Sequence, residues 1–205
     1  NVSVDGGTIK LDGNYPVGSA NIALGNTALS SGSLSGGFNV ALGSDALASN
    51  TSGSQNVAIG YYSAQGTTTG SQNIAIGRNS LAANTTGSTN VGIGDLALQA
   101  NTTASNNTAV GYQAGYSNTT GAGATAVGYK ALYANNQGTN AAFGSSALTA
   151  NTSGYYNTAL GNSSSFSTTT GVSNTSVGYV SLRLNTSGSY NTAVGESALR
   201  SNTTA

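Results

Sequence analysis

Few residues in this chain have types suited to chemistry. There is no His and no Cys, and the acids are Asp5, Asp12, Asp45, Asp95 and Glu196. General acid-base catalysis needs a positioned titratable pair, and the acids past Asp12 neither neighbour one another nor recur as a set. Without Cys there are neither disulfides nor thiolate metal sites. Gly-rich stretches such as Gly121-Ala122-Gly123 lack the Lys-Ser/Thr ending and the following helix of a phosphate loop. Calcium-binding nonapeptide repeats carry an Asp in each turn, whereas the turns here read Asn-Thr-Thr-Gly. The chain is therefore predicted to be no enzyme and to hold no metal and no cofactor.

What remains is chemistry of contact. Tyr61, Tyr112, Tyr129 and Tyr179 each follow a Gly at the same point of a recurring phrase. Exposed Tyr stacks on sugars or anchors a protein partner, and the plainer reading packs it over a turn or across a subunit boundary. Asn-Thr-Thr/Ser sequons begin at Asn50, Asn84, Asn101, Asn118, Asn151, Asn185 and Asn202, but their even spacing follows the repeat, so a turn role is preferred over glycosylation. The Thr residues that follow, such as Thr51, Thr68 and Thr85, form a regular row, and an ice-binding face is a reading of a different class.

The elements that position these residues come from the period. The phrase begins at Asn21, Asn39, Asn56, Asn73, Asn90, Asn107, Ala124, Asn140, Asn157, Asn174 and Asn191, at steps of 17 apart from one of 18 after Asn21 and one of 16 after Ala124. A unit this short is one coil of a solenoid, and the odd steps are expected to be absorbed in loops. Numbering the unit as rows 1 to 17 gives N-[T/V/I]-A-[V/I/L]-G-x-x-[A/S]-L-x-[A/S]-N-T-[T/S]-G-x-x. Neither helical stripe nor heptad is present, so the prediction is all-β: a single-stack β-solenoid of about eleven 17-residue coils, each with two short strands and two turns.

Each row receives an expected role. Row 4 is apolar throughout, as Leu42, Ile59, Ile76, Ile93, Val110, Val127, Phe143, Leu160, Val177 and Val194, and with the mostly Leu row 9 it is the predicted core. Rows 3 and 8 are small; they either suit tight coils or, as preferred here, let a second chain approach closely. Row 5, with Gly43, Gly60, Gly77, Gly94, Gly111, Gly128, Gly144, Gly161, Gly178 and Gly195, is one corner, and the Gly of row 15 the other. Row 1, with Asn39, Asn56, Asn73, Asn90, Asn107, Asn157, Asn174 and Asn191, is positioned to stack amides as a ladder, and row 12 is a second Asn row. Row 2 drifts from Val or Ile in early coils to Thr in later ones.

Residues 1–20 break the period and read as an N-terminal junction or cap, and 21–205 as the repeat domain, a segment of something longer. With 5% charged residues and zero net charge, no nucleic acid or anionic membrane is expected as a partner, and no run of about 18 apolar residues crosses a membrane. The thin core of one coil makes association with copies of itself the natural remedy.

The unit as it stands in Asn107-Thr108-Ala109-Val110-Gly111-Tyr112-Gln113-Ala114 resembles the repeats of bacteriophage tail fibres and, in a related group, the YadA-like head repeats of trimeric autotransporter adhesins. The resemblance covers residues 21–205. It implies a parallel homotrimer of left-handed β-rolls on a virion tail or an extracellular cell surface, used to span distance and attach to a host receptor, with a glycan as one candidate. The unit resembles the tail-fibre repeats more than the adhesin repeats, its period is longer than the shorter head repeat typical of the adhesins, and the adhesin head stands as the alternative.

Overall fold

A computed structural model describes residues 20–31 and 34–204, so the cap expected over residues 1–20 lies outside the described residues except for Ala20. Eleven three-residue strands follow in order: β1 (Ile22–Leu24), β2 (Val40–Leu42), β3 (Val57–Ile59), β4 (Ile74–Ile76), β5 (Val91–Ile93), β6 (Thr108–Val110), β7 (Thr125–Val127), β8 (Ala141–Phe143), β9 (Thr158–Leu160), β10 (Thr175–Val177) and β11 (Thr192–Val194). They form one sheet in sequence order, every neighbouring pair parallel and in row-to-row register. The chain is a β-solenoid without helix among the described residues. At about 4.8 Å per coil the stack is roughly 50 Å long.

Each coil carries one strand, not the predicted pair. The rest of the coil is turn and bend, because the backbone passes through the left-handed region at rows 7, 9 and 17, as at Gln113 (φ 54), Leu98 (φ 50) and Gln72 (φ 60). Inter-coil hydrogen bonding nevertheless continues through these segments: Leu47 N–H donates to the Ser63 carbonyl at 3.1 Å and Thr51 N–H to the Thr68 carbonyl at 2.9 Å. A left-handed Leu costs about 1–2 kcal/mol. Burying its side chain returns about 1.5–3 kcal/mol, which explains why row 9 is Leu wherever it is large. Ala64, Gly115 and Ser165 fill the same row in other coils.

The interior is one Leu wide. Leu29, Leu47, Leu81, Leu98, Leu132, Leu148 and Leu182 are at most 1% exposed, as expected of row 9. The strand's middle residue, row 3, points at these Leu side chains, and Ala41, Ala58, Ala75, Ala109, Ala142 and Ala159 are fully buried. Only a small residue fits there. Alternation along a strand then sends rows 2 and 4 outward.

This reverses the core expected from the sequence. Leu42, Ile59, Ile76, Ile93, Val110, Val127, Phe143, Leu160, Val177 and Val194 line the outer face of the sheet, half-buried or exposed, with Ile59 at 36% and Leu160 at 49%. The close approach assigned to rows 3 and 8 is also corrected: Ala46, Ser80, Ala97 and Ala131 in row 8 are buried with row 3 inside their own chain. Bulk is outside and smallness inside because the coil is too narrow for two large side chains.

The two glycine rows differ in cause. Row 5 Gly residues have φ between 121° and 139°, a region open in practice to Gly alone, and a Cβ at Gly111 would lie 2.6 Å from the Gly128 carbonyl oxygen. Row 15 has no positive φ; there a Cβ at Gly70 would lie 2.3 Å from the Gly87 carbonyl oxygen, so the constraint is the closeness of adjacent coils. The left-handed corner on that side falls two residues later, on non-Gly residues of row 17 such as Gln55, Thr89 and Asn106.

The irregular steps leave the sheet undisturbed. Ile22 pairs with Val40 across the step of 18, and Thr125 with Ala141 across the step of 16. In the shorter coil Asn136 replaces the row 13 Thr. Its Oδ1 accepts from Thr119 N–H at 2.9 Å and from the Thr119 hydroxyl at 2.6 Å, the two donors that a backbone carbonyl takes in regular coils.

Candidate functional site

The row 1 amides face the interior and are fully buried from Asn39 to Asn174 wherever Asn is present. Each Oδ1 accepts the backbone N–H of the next row 1 residue at 2.8–3.0 Å, as in Asn56 to Asn39, Asn73 to Asn56, Asn174 to Asn157 and Asn191 to Asn174. The Asn56, Asn73, Asn90, Asn174 and Asn191 amides also donate to the preceding Oδ1 at 3.1–3.2 Å. Asn107 Oδ1 accepts from Ala124 N–H at 2.8 Å, but Ala124 has no side-chain carbonyl to pass on, and Asn107 Nδ2 is left without a partner. Row 12 acts mostly within its own coil: Asn50 Nδ2 donates to the Gly53 carbonyl at 2.9 Å, the same oxygen that Asn39 Nδ2 reaches at 2.9 Å, while Asn101 Nδ2 also donates to Asn84 Oδ1 of the adjacent coil at 2.9 Å. These amides hold turns together and offer nothing to a ligand.

The Thr row next to them is also committed inward. The hydroxyls of Thr51, Thr68, Thr85, Thr102, Thr152, Thr169 and Thr186 each donate to the carbonyl of the next Thr along the stack at 3.0–3.2 Å. A hydroxyl whose proton points along the rod keeps its oxygen lone pairs, and not its proton, for anything outside the coil.

Besides the turn that carries the exposed Tyr155, Tyr156 and Tyr190, two surfaces remain. The outer sheet face, rows 2 and 4 of all eleven strands, consists only of Val, Ile, Leu, Phe, Ala and Thr, with no charged or amide residue at any position. Its row 2 drift to Thr, from Thr108 onward, makes the later half more polar without charging it.

The second surface is the ridge where rows 6, 7 and 10 meet. Every charged residue of the repeats is there: Asp45, Arg78, Asp95, Lys130, Arg183, Glu196 and Arg200. Tyr61, Tyr112, Tyr129 and Tyr179 are between 42% and 56% exposed on it. Tyr112 stacks on Tyr129 with ring centroids 5.6 Å apart, and Tyr116 on Tyr133 at 5.1 Å. The Lys130 ammonium is 5.3 Å from the Tyr129 ring centre and 5.4 Å from that of Tyr133. Arg183 lies 5.6 Å from the Phe166 ring, and Arg78 pairs with Asp95 at 2.9 Å. At Tyr61 the phenol is held above its ordinary pKa, first by its hydrogen bond to Tyr62, then by desolvation and by the nearby Tyr62 and Asp45 charges.

The row 6 tyrosines are legible in sequence, while Tyr116, Tyr133, Phe166 and the cations beside them are not singled out by the repeat. The signal for them was the placement of charge, since rows 6, 7 and 10 are the rows that hold it. Protein-family models give no match to the chain, and neither do curated proteins or solved structures. No helix among the described residues is long and apolar enough to cross a membrane.

Proposed function

We propose that this chain is a non-enzymatic, structural and adhesive segment of a bacteriophage tail fibre, built as a parallel homotrimer of left-handed coils and involved in host attachment. The outer sheet face carries the reading: a continuous uncharged strip with a large apolar side chain in row 4 of every coil runs the length of the stack, while all charge of the repeats is confined to another side of each coil. Such a strip is poorly suited to water and well suited to burial against its own copies, where strands of identical sequence present identical rows. The assembly also supplies the apolar bulk that the Ala-rich interior lacks.

A mass measurement in solution tests this directly, with a value of three chains expected. Ile76→Lys with Ile93→Lys places two charges on the strip and is expected to yield single chains. A wild-type monomer sinks the trimer. Antibodies raised against the chain are expected to decorate virion tails; decoration of a bacterial surface instead would move the segment to an adhesin head.

A further inference from the structure

We infer that the ridge of the later coils is a binding furrow for a linear, anionic polysaccharide lying along the rod, with Tyr129 and Tyr133 as stacking walls and Lys130, Arg183 and Arg200 as the carboxylate contacts. The inference rests on the fibre reading only in needing this side of the coil to face outward in the assembly.

The furrow is built from three rows. In the last three coils an open hollow of about 410 Å³ is lined from rows 6, 7 and 10, among them Tyr179, Arg183, Glu196 and Arg200. Three coils earlier the same rows carry Tyr129, Lys130 and Tyr133, with the ammonium 5.3 and 5.4 Å from the two rings. In the coil between these regions that follows Tyr133, the corresponding rows are Ser145, Ser146 and Thr149, which place no bulky side chain in the way. A row repeats at about 4.8 Å, so the furrow offers a one-dimensional series of contacts and its ligand must be extended.

Charge selects the sign. From Tyr112 onward the ridge holds three cations, Lys130, Arg183 and Arg200, against one acid, Glu196. Before that point it holds Arg78 against Asp45 and Asp95, and Arg78 is paired with Asp95. Composition selects the class. Aromatic surface with a few cations suits single-stranded nucleic acid as well as sugar, but a nucleic acid brings a phosphate with every nucleotide, and basic residues here are too sparse to neutralise one per step. Apart from Val180 and Phe166, the later ridge positions not held by Tyr or charge are Ser, Thr, Asn and Gln, as at Gln113, Asn162 and Ser163, and they complement hydroxyls. A polymer of sugars with scattered carboxylates fits both.

The test uses the intact chain in affinity electrophoresis through polygalacturonate, with dextran as the neutral polymer and a single-stranded oligothymidine measured by anisotropy. Retention by polygalacturonate is expected, weakening as salt rises. Lys130→Gln with Arg183→Gln is expected to weaken it about tenfold or more, as is Tyr129→Ala with Tyr133→Ala. Lys130→Arg with Arg183→Lys should keep it, and Tyr61→Ala should not change it; circular dichroism checks that each variant is folded. No retention by polygalacturonate, or retention that the furrow variants leave intact, overturns the proposal. Equal retention by dextran overturns the anionic requirement, and preferential binding of the oligothymidine overturns the ligand class. A monomer that is retained would sink the fibre reading and leave the furrow standing, while a trimer that is not retained would do the reverse.

Discussion

Two sides of the same coil have been treated very differently. On the strand side, rows 2 and 4 vary only among aliphatic residues, Phe143 and Thr, and the parallel register places each residue beside its counterpart in the next coil. On the ridge, Tyr, Arg, Asp, Lys, Ser and Glu follow one another in row 6 and row 7 with no visible pattern. The backbone path is the same in every coil, so the difference is not demanded by the coil. A surface that meets its own copies, as proposed for the strand face, would be held to a repeat, and a surface that meets something else would be free to vary. The stacked tyrosines and the cations lie on the free side.

That contrast has measurable consequences. The largest belongs to the corner that joins the two sides: Gly111→Val puts a branched side chain at φ 132 with a Cβ 2.6 Å from the Gly128 carbonyl oxygen. It should cost more than about 4 kcal/mol and abolish the cooperative thermal transition followed by circular dichroism. Beneath the ridge, Leu98→Ala empties a site that is 1% exposed. A loss of about 3 kcal/mol is expected in urea unfolding, since Ala keeps the left-handed backbone strain while losing the buried side chain. A loss close to zero would show that the interior is not held by row 9.

Smaller effects refine the same division. Ala124 interrupts the buried amide ladder, and Ala124→Asn restores an Oδ1 that accepts Asn140 N–H and an amide that donates to Asn107 Oδ1, as in the regular coils. A gain of about 1 kcal/mol in unfolding free energy is expected. On the ridge, Arg78→Ala removes an ion pair whose side chains are 57% and 33% exposed. It should shift stability by less than about 0.5 kcal/mol at moderate salt and leave the mass in solution unchanged. A substantial loss there would contradict the view that ridge residues serve contact and not the fold.

Much of this was legible in the chain. Row 5 could be assigned to a corner because no other residue type occurs there, and row 9 to the interior because its Leu recurs through most coils. The place of Tyr112 beside that corner admits both exposure and packing over the turn; in the structure its ring is 42% exposed and stacks on Tyr129. The strand is the exception: the pattern predicts its large face inward, and the structure turns that face outward. Alternation shows that Ala109 and Val110 point opposite ways, but hydrophobicity alone favours burying Val. Only the width of the closed coil reveals that Leu98 and Leu132 already fill the interior. The expected second strand is absent for a related reason: left-handed backbone at Leu residues runs against local preference and is imposed by the closure of the coil.

What the sequence determined by itself was the period, and with it a solenoid, the corner glycines and the row of Asn amides, because residues repeated at constant spacing must meet their counterparts when coils stack. What only the tertiary structure decided was which side of each strand faces in, and which of the scattered aromatic and cationic residues meet on one ridge. Both depend on how tightly seventeen residues can close, a matter of volume and backbone angle that no spacing along the chain expresses.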